Sequence, residues 1–221
     1  SAAAARVTSA TSGKGIVSEE HPRSLRHGGL AASLWARAYT QEGVDGCVVL
    51  GTDLDDASIG PTRYVAEGGK LVHVDVDSRV FARNLPTTLG VVCDVEAFAE
   101  AMRLWWTTYG MRHGTIGAFV RQLKATTPPY EAPAASAAIA PQRAILDLEA
   151  ALPDAMFATD IGEHMLFALH YLTAKGPDRF HIQLSLGSMG SGIGTAIGLA
   201  LGAPGRRVVC IAGDGCMQMM G

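Results

Sequence analysis

The sequence predicts an α/β fold built from parallel sheets, divided into two units that are both incomplete within its 221 residues. Short β-branched runs alternate with longer segments of helical periodicity, the rhythm of successive βα units. Proline gathers at Pro128, Pro129, Pro133 and Pro141, between two such stretches. The last apolar run, Val208-Val209-Cys210-Ile211-Ala212, passes straight into Gly213-Asp214-Gly215-Cys216. That order sets a carboxylate at the carboxyl end of a strand, where open parallel sheets take their ligands.

In the first unit, Gly46-Cys47-Val48-Val49-Leu50-Gly51 reads as a strand, Lys70 to Val76 as a second, and Val91-Val92-Cys93 as a short third. Leu30 to Thr40 and Val95 to Tyr109 repeat apolar residues at helical spacing. The second of these carries Phe98, Met102, Trp105 and Trp106, and large aromatics at that spacing are expected to close a core or a contact between units. Lys124 to Pro141 reads as an extended linker, because proline at that density blocks helix and sheet hydrogen bonding. This gives a Rossmann-like, nucleotide-binding-like unit over 1–123, a linker over 124–141 and a second unit over 142–221. Past the linker, Gln142 to Leu152 predicts a helix, Met156 to Thr159 a strand and Gly162 to Leu172 a helix. Ser188 to Gly202 predicts another, whose Gly190, Gly192, Gly194 and Gly198 cost stability unless another backbone approaches closely. The chain has no internal repeat.

Composition narrows the function classes. A formal net charge of −3 without a Lys/Arg run argues against nucleic acid or an anionic membrane surface as partner. No stretch reaches the roughly 18 apolar residues of a membrane span. The best candidate, Thr195 to Leu201, stops at Gly202-Ala203-Pro204-Gly205-Arg206-Arg207. Cys47, Cys93 and Cys210 lie in apolar runs, Cys216 in a turn, and none forms a Cys-x-x-Cys pair. Buried thiols and a reducing cytoplasm are therefore expected. Ser1 to Arg6 is acid-free and rich in small residues, which suits a transit peptide or an interior helix end alike.

Three turns of the second unit carry the chemistry: Thr159-Asp160-Ile161-Gly162-Glu163-His164, Gly187-Ser188-Met189-Gly190 and Gly213-Asp214-Gly215-Cys216. Each enters a helix, and helix starts present unpaired N–H groups to anions. A phosphorylated ligand with a divalent cation at Asp214 fits such a cradle. Taken singly, Asp-Gly is also an ordinary turn pair, His164 a plausible solvated or capping residue, and Met189 a core filler. In the first unit, Asp53, Asp55, Asp56, Asp75 and Asp77 suit the hydroxyls of a nucleotide or simply solvated turns.

The order and spacing of these motifs resemble the thiamine-diphosphate enzymes, most closely the acetolactate synthase type. Upstream landmarks are similar as well: Ser12-Gly13-Lys14-Gly15, Glu20-His21-Pro22, His27-Gly28, Leu50-Gly51 with Asp55-Asp56, and His73-Val74-Asp75-Val76-Asp77. The resemblance implies that Asp214 ligates Mg²⁺, with Gly213, Gly215 and Cys216 beside the diphosphate and Cys216 standing where the family usually has Ser. It implies a diphosphate-contacting turn at Gly162, Glu163 and His164, with Glu163 in place of a usual Gln. Gly187 corresponds to the residue whose carbonyl receives the aminopyrimidine, and Met189 to the bulky residue that keeps thiamine diphosphate bent. FAD or ADP in the first unit is a further implication, which His27-Gly28 and Asp94 suit; Asp53 stands where flavin-binding relatives commonly have Arg.

The family's second metal ligand, an Asn, and the Glu that activates the aminopyrimidine have no counterpart in the sequence, which is therefore expected to be an internal portion of a longer polypeptide, inactive alone. The function so implied is a decarboxylating carboligase, a lyase or transferase that acts on a 2-oxo acid and a second carbonyl compound as a cytoplasmic homodimer or homotetramer. A simple decarboxylase, an acyl-CoA lyase, or a non-catalytic nucleotide-binding or assembly module are the alternatives.

Overall fold

The computed structural model describes residues 5–61, 63–109, 117–133, 135 and 138–220. Among them the strands form three sheets, and every strand pair is parallel. Ser1 to Ala4, the start of the acid-free N-terminal run, lie outside the described residues.

Strands β1 (Val7–Ser9) and β2 (Ser24–His27) pair with a register shift. Both are short and largely polar, so no apolar run announced them. Helix α1 (Leu34–Thr40) starts later than the periodicity predicted, at Ser33, whose hydroxyl accepts the Ala36 N–H. The reason lies just upstream: Gly29 and Ala31 hold left-handed backbone, φ 70° and 58°, which no helix continues through.

Strand β3 (Val44–Leu50), the one-turn helix α2 (Asp56–Ile59), strand β4 (Val65–Asp75) and strand β5 (Leu89–Val92) build the second sheet, ordered β3-β4-β5. Val49, Leu54 and Leu71 form its small buried cluster. Helix α3 (Val95–Thr108) follows, capped by Asp94, and buries none of its residues. Trp105 is 45% exposed, so the expectation that it closes a core is corrected. Its ring stacks instead on Tyr109, centroids 5.4 Å apart. Periodicity marks the apolar side of a helix, but not whether an element covers it.

Helix α4 (Ala118–Thr126) takes in Lys124 to Thr126, the start of the expected linker. The residues after it are tied down: Trp35 Nε1–H donates to the Thr127 carbonyl at 2.7 Å, and the Leu34 N–H to that of Pro129 at 2.8 Å.

The third sheet has the order β7-β6-β8. Helix α5 (Pro141–Ala151) opens on the proline that its first turn tolerates, and leads into the fully buried strand β6 (Met156–Thr159). Helix α6 (Glu163–Tyr171), strand β7 (Phe180–Ile182), helix α7 (Ser191–Gly202), strand β8 (Val208–Ile211) and helix α8 (Asp214–Met219) complete it. Phe157, Met165, Leu169, Leu172 and Phe180 form the main core between sheet and helices. Thr159 pairs with both Ile182 and Ile211, so the strands end together and the segments after them share one edge.

Cysteine burial departs from expectation. Cys47 and Cys93 are half-buried and Cys210 is exposed, whereas the turn residue Cys216 is buried. An apolar strand residue is covered only if something packs on its face, and Cys210 lies on an outer strand of its sheet.

Candidate functional site

The three turns singled out in the sequence converge at the carboxyl edge of β7-β6-β8, and the residue that joins the first two is Asp160. It follows β6, is fully buried, and its own N–H donates to the Ile211 carbonyl of β8 at 2.9 Å. Its carboxylate accepts the Gly190 N–H on both oxygens at 2.9 Å and the Ile161 N–H on Oδ1 at 2.7 Å. The start of α7 is thereby pinned to the end of β6. The approach is so close that a Cβ on Gly192 would lie 2.6 Å from the Asp160 Cα, which requires glycine there. Gly194 and Gly198 have nothing within 4 Å of such a Cβ, so the expected close backbone approach is confined to the first turn of α7.

The imidazole of His164 sits between two glycines. A Cβ on Gly162 would lie 2.8 Å from its Cε1, and one on Gly213 would lie 3.2 Å from its Nδ1. His164 Nε2 is buried and has no hydrogen-bond partner among the described residues. Ring nitrogens of His27, His73 and His181 are likewise without a partner among the described residues, but only that of His164 lies at this edge, where it is free to bond a ligand. The third turn is joined to the first by Cys216, whose thiol donates to the Ile161 carbonyl at 3.2 Å. It approaches the second turn where Met189 Cε would come within 3.1 Å of a Cβ on Gly215.

The remaining groups are open. Gly187 holds a left-handed φ of 66° with free space around it, and Met189 is 40% exposed. Glu163 and Asp214 are exposed, and Asp214 Oδ1 accepts the Gly215 N–H at 2.9 Å. The N-cap residues of α6 and α7, Gly162 and Gly190, supply no side-chain cap of their own; at α7 the Gly190 N–H is taken by Asp160, and those of Ser191 and Ile193 by the Ser188 and Gly190 carbonyls. The three turns named from the sequence in the second unit therefore meet at one edge, through Asp160 with Gly190, Cys216 with Ile161, and Met189 beside Gly215. Sequence reasoning quoted Asp160 without assigning it a role; a lone Asp straight after an apolar strand was the available signal.

In the first unit the candidate carboxylates are engaged locally. Asp55 caps α2 through the Ser58 N–H and Asp94 caps α3. Asp75 accepts the Asp77 N–H, Asp77 pairs with Arg79 at 2.7 Å, and Asp53 lies 3.8 Å from Arg83. His27 is buried, donates from Nε2 to the Leu30 carbonyl at 2.6 Å, and is held neutral because burial pushes its pKa down to about 3.

Residues 1–102 match the family model described as thiamine pyrophosphate enzyme, central domain, and residues 160–221 match thiamine pyrophosphate enzyme, C-terminal TPP binding domain. The chain belongs to the thiamine pyrophosphate enzyme family. Thiamine pyrophosphate and thiamine diphosphate are the same compound. The second match begins at Asp160 and contains all three turns, so the cluster lies in the part of this thiamine pyrophosphate enzyme that matches the cofactor-binding domain. The chain is 31% identical over 220 residues to an acetolactate synthase of Arthrospira platensis, covering 96% of this chain and 38% of that relative. It is 29% identical to an acetolactate synthase of Mycobacterium bovis, covering 93% of this chain and 34% of the relative. To the acetolactate synthase large subunit of Pyropia yezoensis it is 28% identical, with 96% and 36% covered. The chain thus spans little more than a third of the length of these curated relatives.

Proposed function

We propose that the chain carries the diphosphate and metal side of the active site of a thiamine-diphosphate- and Mg²⁺-dependent carboligase. The enzyme would decarboxylate a 2-oxo acid and join the remaining fragment to a second carbonyl compound, as the name of its acetolactate synthase relatives suggests. The observation that carries this reading is the buried, partnerless Nε2 of His164 at the meeting point of three turns. That ring nitrogen, protonated, would donate to a diphosphate beside the start of α6, which has no side-chain cap.

In this reading Gly162, Glu163 and His164 line one side of the diphosphate and Gly213, Gly215 and Cys216 the other. Asp214 would hold Mg²⁺ beside the diphosphate. That arrangement is the usual one for Mg²⁺, which needs only one or two carboxylates beside its phosphate ligands. Thiamine diphosphate, when bound, would supply an electron sink for decarboxylation of the 2-oxo acid. The Gly187 carbonyl would orient the aminopyrimidine, and Met189 would set the conformation of the cofactor.

The activating Glu would come from a further domain of a neighbouring subunit, so a homodimer or homotetramer is the expected assembly. All four cysteines are free, which accords with a reducing, cytoplasmic setting. Among the described residues no helix is long and apolar enough to cross a membrane.

Calorimetric titration of thiamine diphosphate with and without Mg²⁺ tests the reading. Mg²⁺-dependent binding is expected in the unmutated protein and its loss in Asp214→Ala. Absence of Mg²⁺-dependent binding in the unmutated protein would overturn it.

A further inference from the structure

Helix α6 is held at its two ends by different parts of the chain. Its first turn presents Glu163 and His164 to the candidate site; its last turn ends in carbonyls that need donors. Arg26 supplies them from the region matched to the central domain. Its Nη2 donates to the Leu172 carbonyl at 2.8 Å, to that of Tyr171 at 3.3 Å and to the Thr173 hydroxyl at 3.2 Å. A cation at a helix carboxyl end also complements the helix dipole.

Arg26 is itself held in place. Its guanidinium lies 3.6 Å from Glu19 Oε2 and 5.3 Å over the Tyr130 ring. Glu19 grips the residue after Thr173, its N–H donating to the Ala174 carbonyl at 2.9 Å and its Oε2 accepting the Ala174 N–H at 2.8 Å. Lys14 Nζ donates to both Glu19 oxygens, at 2.7 and 2.8 Å. The side chains of Lys14, Glu19 and Arg26 are only 0%, 1% and 5% exposed. Beside them, His170 Nδ1–H donates to the Ala31 carbonyl at 3.1 Å. The Arg26 backbone is left-handed, φ 63°, a conformation that residues with a Cβ rarely adopt. Such strain persists where the surroundings over-determine it. A buried ionic cluster adds little stability over well-packed apolar groups, but fixes one geometry.

We infer that Arg26, with Glu19 and Lys14 holding it, is a positioning residue for the Gly162-Glu163-His164 turn, acting through α6 across the junction of the two matched regions. A short helix moves as a rigid rod, so a displaced carboxyl end displaces the start. The inference rests on the reading of that turn as a diphosphate contact.

The test compares Arg26→Gln and Arg26→Lys with the unmutated full chain by amide hydrogen exchange without ligand, and by titration of thiamine diphosphate with Mg²⁺. In Arg26→Gln, exchange is expected to quicken about tenfold, equivalent to ~1.4 kcal/mol, at Thr173 and Ala174 and also at Met165 to Phe167. The amides of β6 and β8 should be unchanged, and thiamine diphosphate affinity should fall by a similar factor. Arg26→Lys keeps the charge and should restore part of both effects; it also decides the matter should Arg26→Gln not fold. Faster exchange confined to Thr173 and Ala174, or a uniform rise through β6 and β8 in both variants, would overturn the inference. If the unmutated protein does not bind thiamine diphosphate, the functional reading fails while the exchange pattern still judges the clamp.

Discussion

Replacing Asp160 with Asn changes one atom in the joint between the first two turns, and its cost can be worked from the geometry. The carboxylate is fully buried and accepts two backbone N–H groups, that of Ile161 at 2.7 Å and that of Gly190 on both oxygens at 2.9 Å. An Asn carbonyl oxygen in the Oδ1 position keeps both acceptances, but without charge. Bonds to a charged group contribute about 1.5–3 kcal/mol and neutral ones about 0.5–1.5. Two bonds weakened by about 1 kcal/mol each give roughly 2 kcal/mol. The Asn amide then stands where Oδ2 was, donor facing the Gly190 N–H donor, which raises the expected loss to about 2–3 kcal/mol. For a chain of this size that corresponds to a Tm lower by roughly 4–12 °C. Urea unfolding measures the global loss, and exchange of the Gly190 amide reads the joint itself. A loss below about 0.5 kcal/mol with Gly190 as protected as before would refute the role assigned to the carboxylate.

Gly192→Ala should destabilise the chain by more than ~2 kcal/mol, because its Cβ would meet Asp160 backbone at 2.6 Å, whereas Gly198→Ala, in open space, should stabilise it by ~0.5–1 kcal/mol; urea midpoints of the pair give the signs. His27 takes up its proton near 6.5 when unfolded but only near 3 when folded, so unfolding binds a proton between these values. The stability it contributes is complete above pH 6.5 and lost as pH falls toward 3, at up to ~1.4 kcal/mol per unit; an acid limb of stability that is unchanged in His27→Gln would contradict this. Thiol labelling of the native chain should modify exposed Cys210 well before buried Cys216, although burial raises the Cys210 pKa and slows it; mass mapping that finds Cys216 modified first would overturn the packing described.

Much of the site was readable as text because its parts are local. A strand followed by a glycine-rich turn and a helix is encoded within a dozen residues, so Gly162 to His164, Gly187 to Met189 and Gly213 to Cys216 could each be marked before their meeting was visible. The strands of β3, β4, β6 and β8 were legible for the same reason, through apolar runs. Short polar strands were not: β1 and β2 are set by partners and have no run of their own.

By itself, then, the sequence determined the α/β class, the Val-rich parallel strands, and which residues were candidates for the diphosphate site. Tertiary structure alone decided which apolar faces are covered, leaving Trp105 and Cys210 exposed and Cys216 buried. It also decided the roles of Asp160 and Arg26, whose partners lie 30 residues away for Gly190 and 146 for Leu172. Local pattern records the conformation that a segment prefers. Burial and long-range hydrogen bonds depend on what the rest of the chain brings against it, and no single window of sequence contains that.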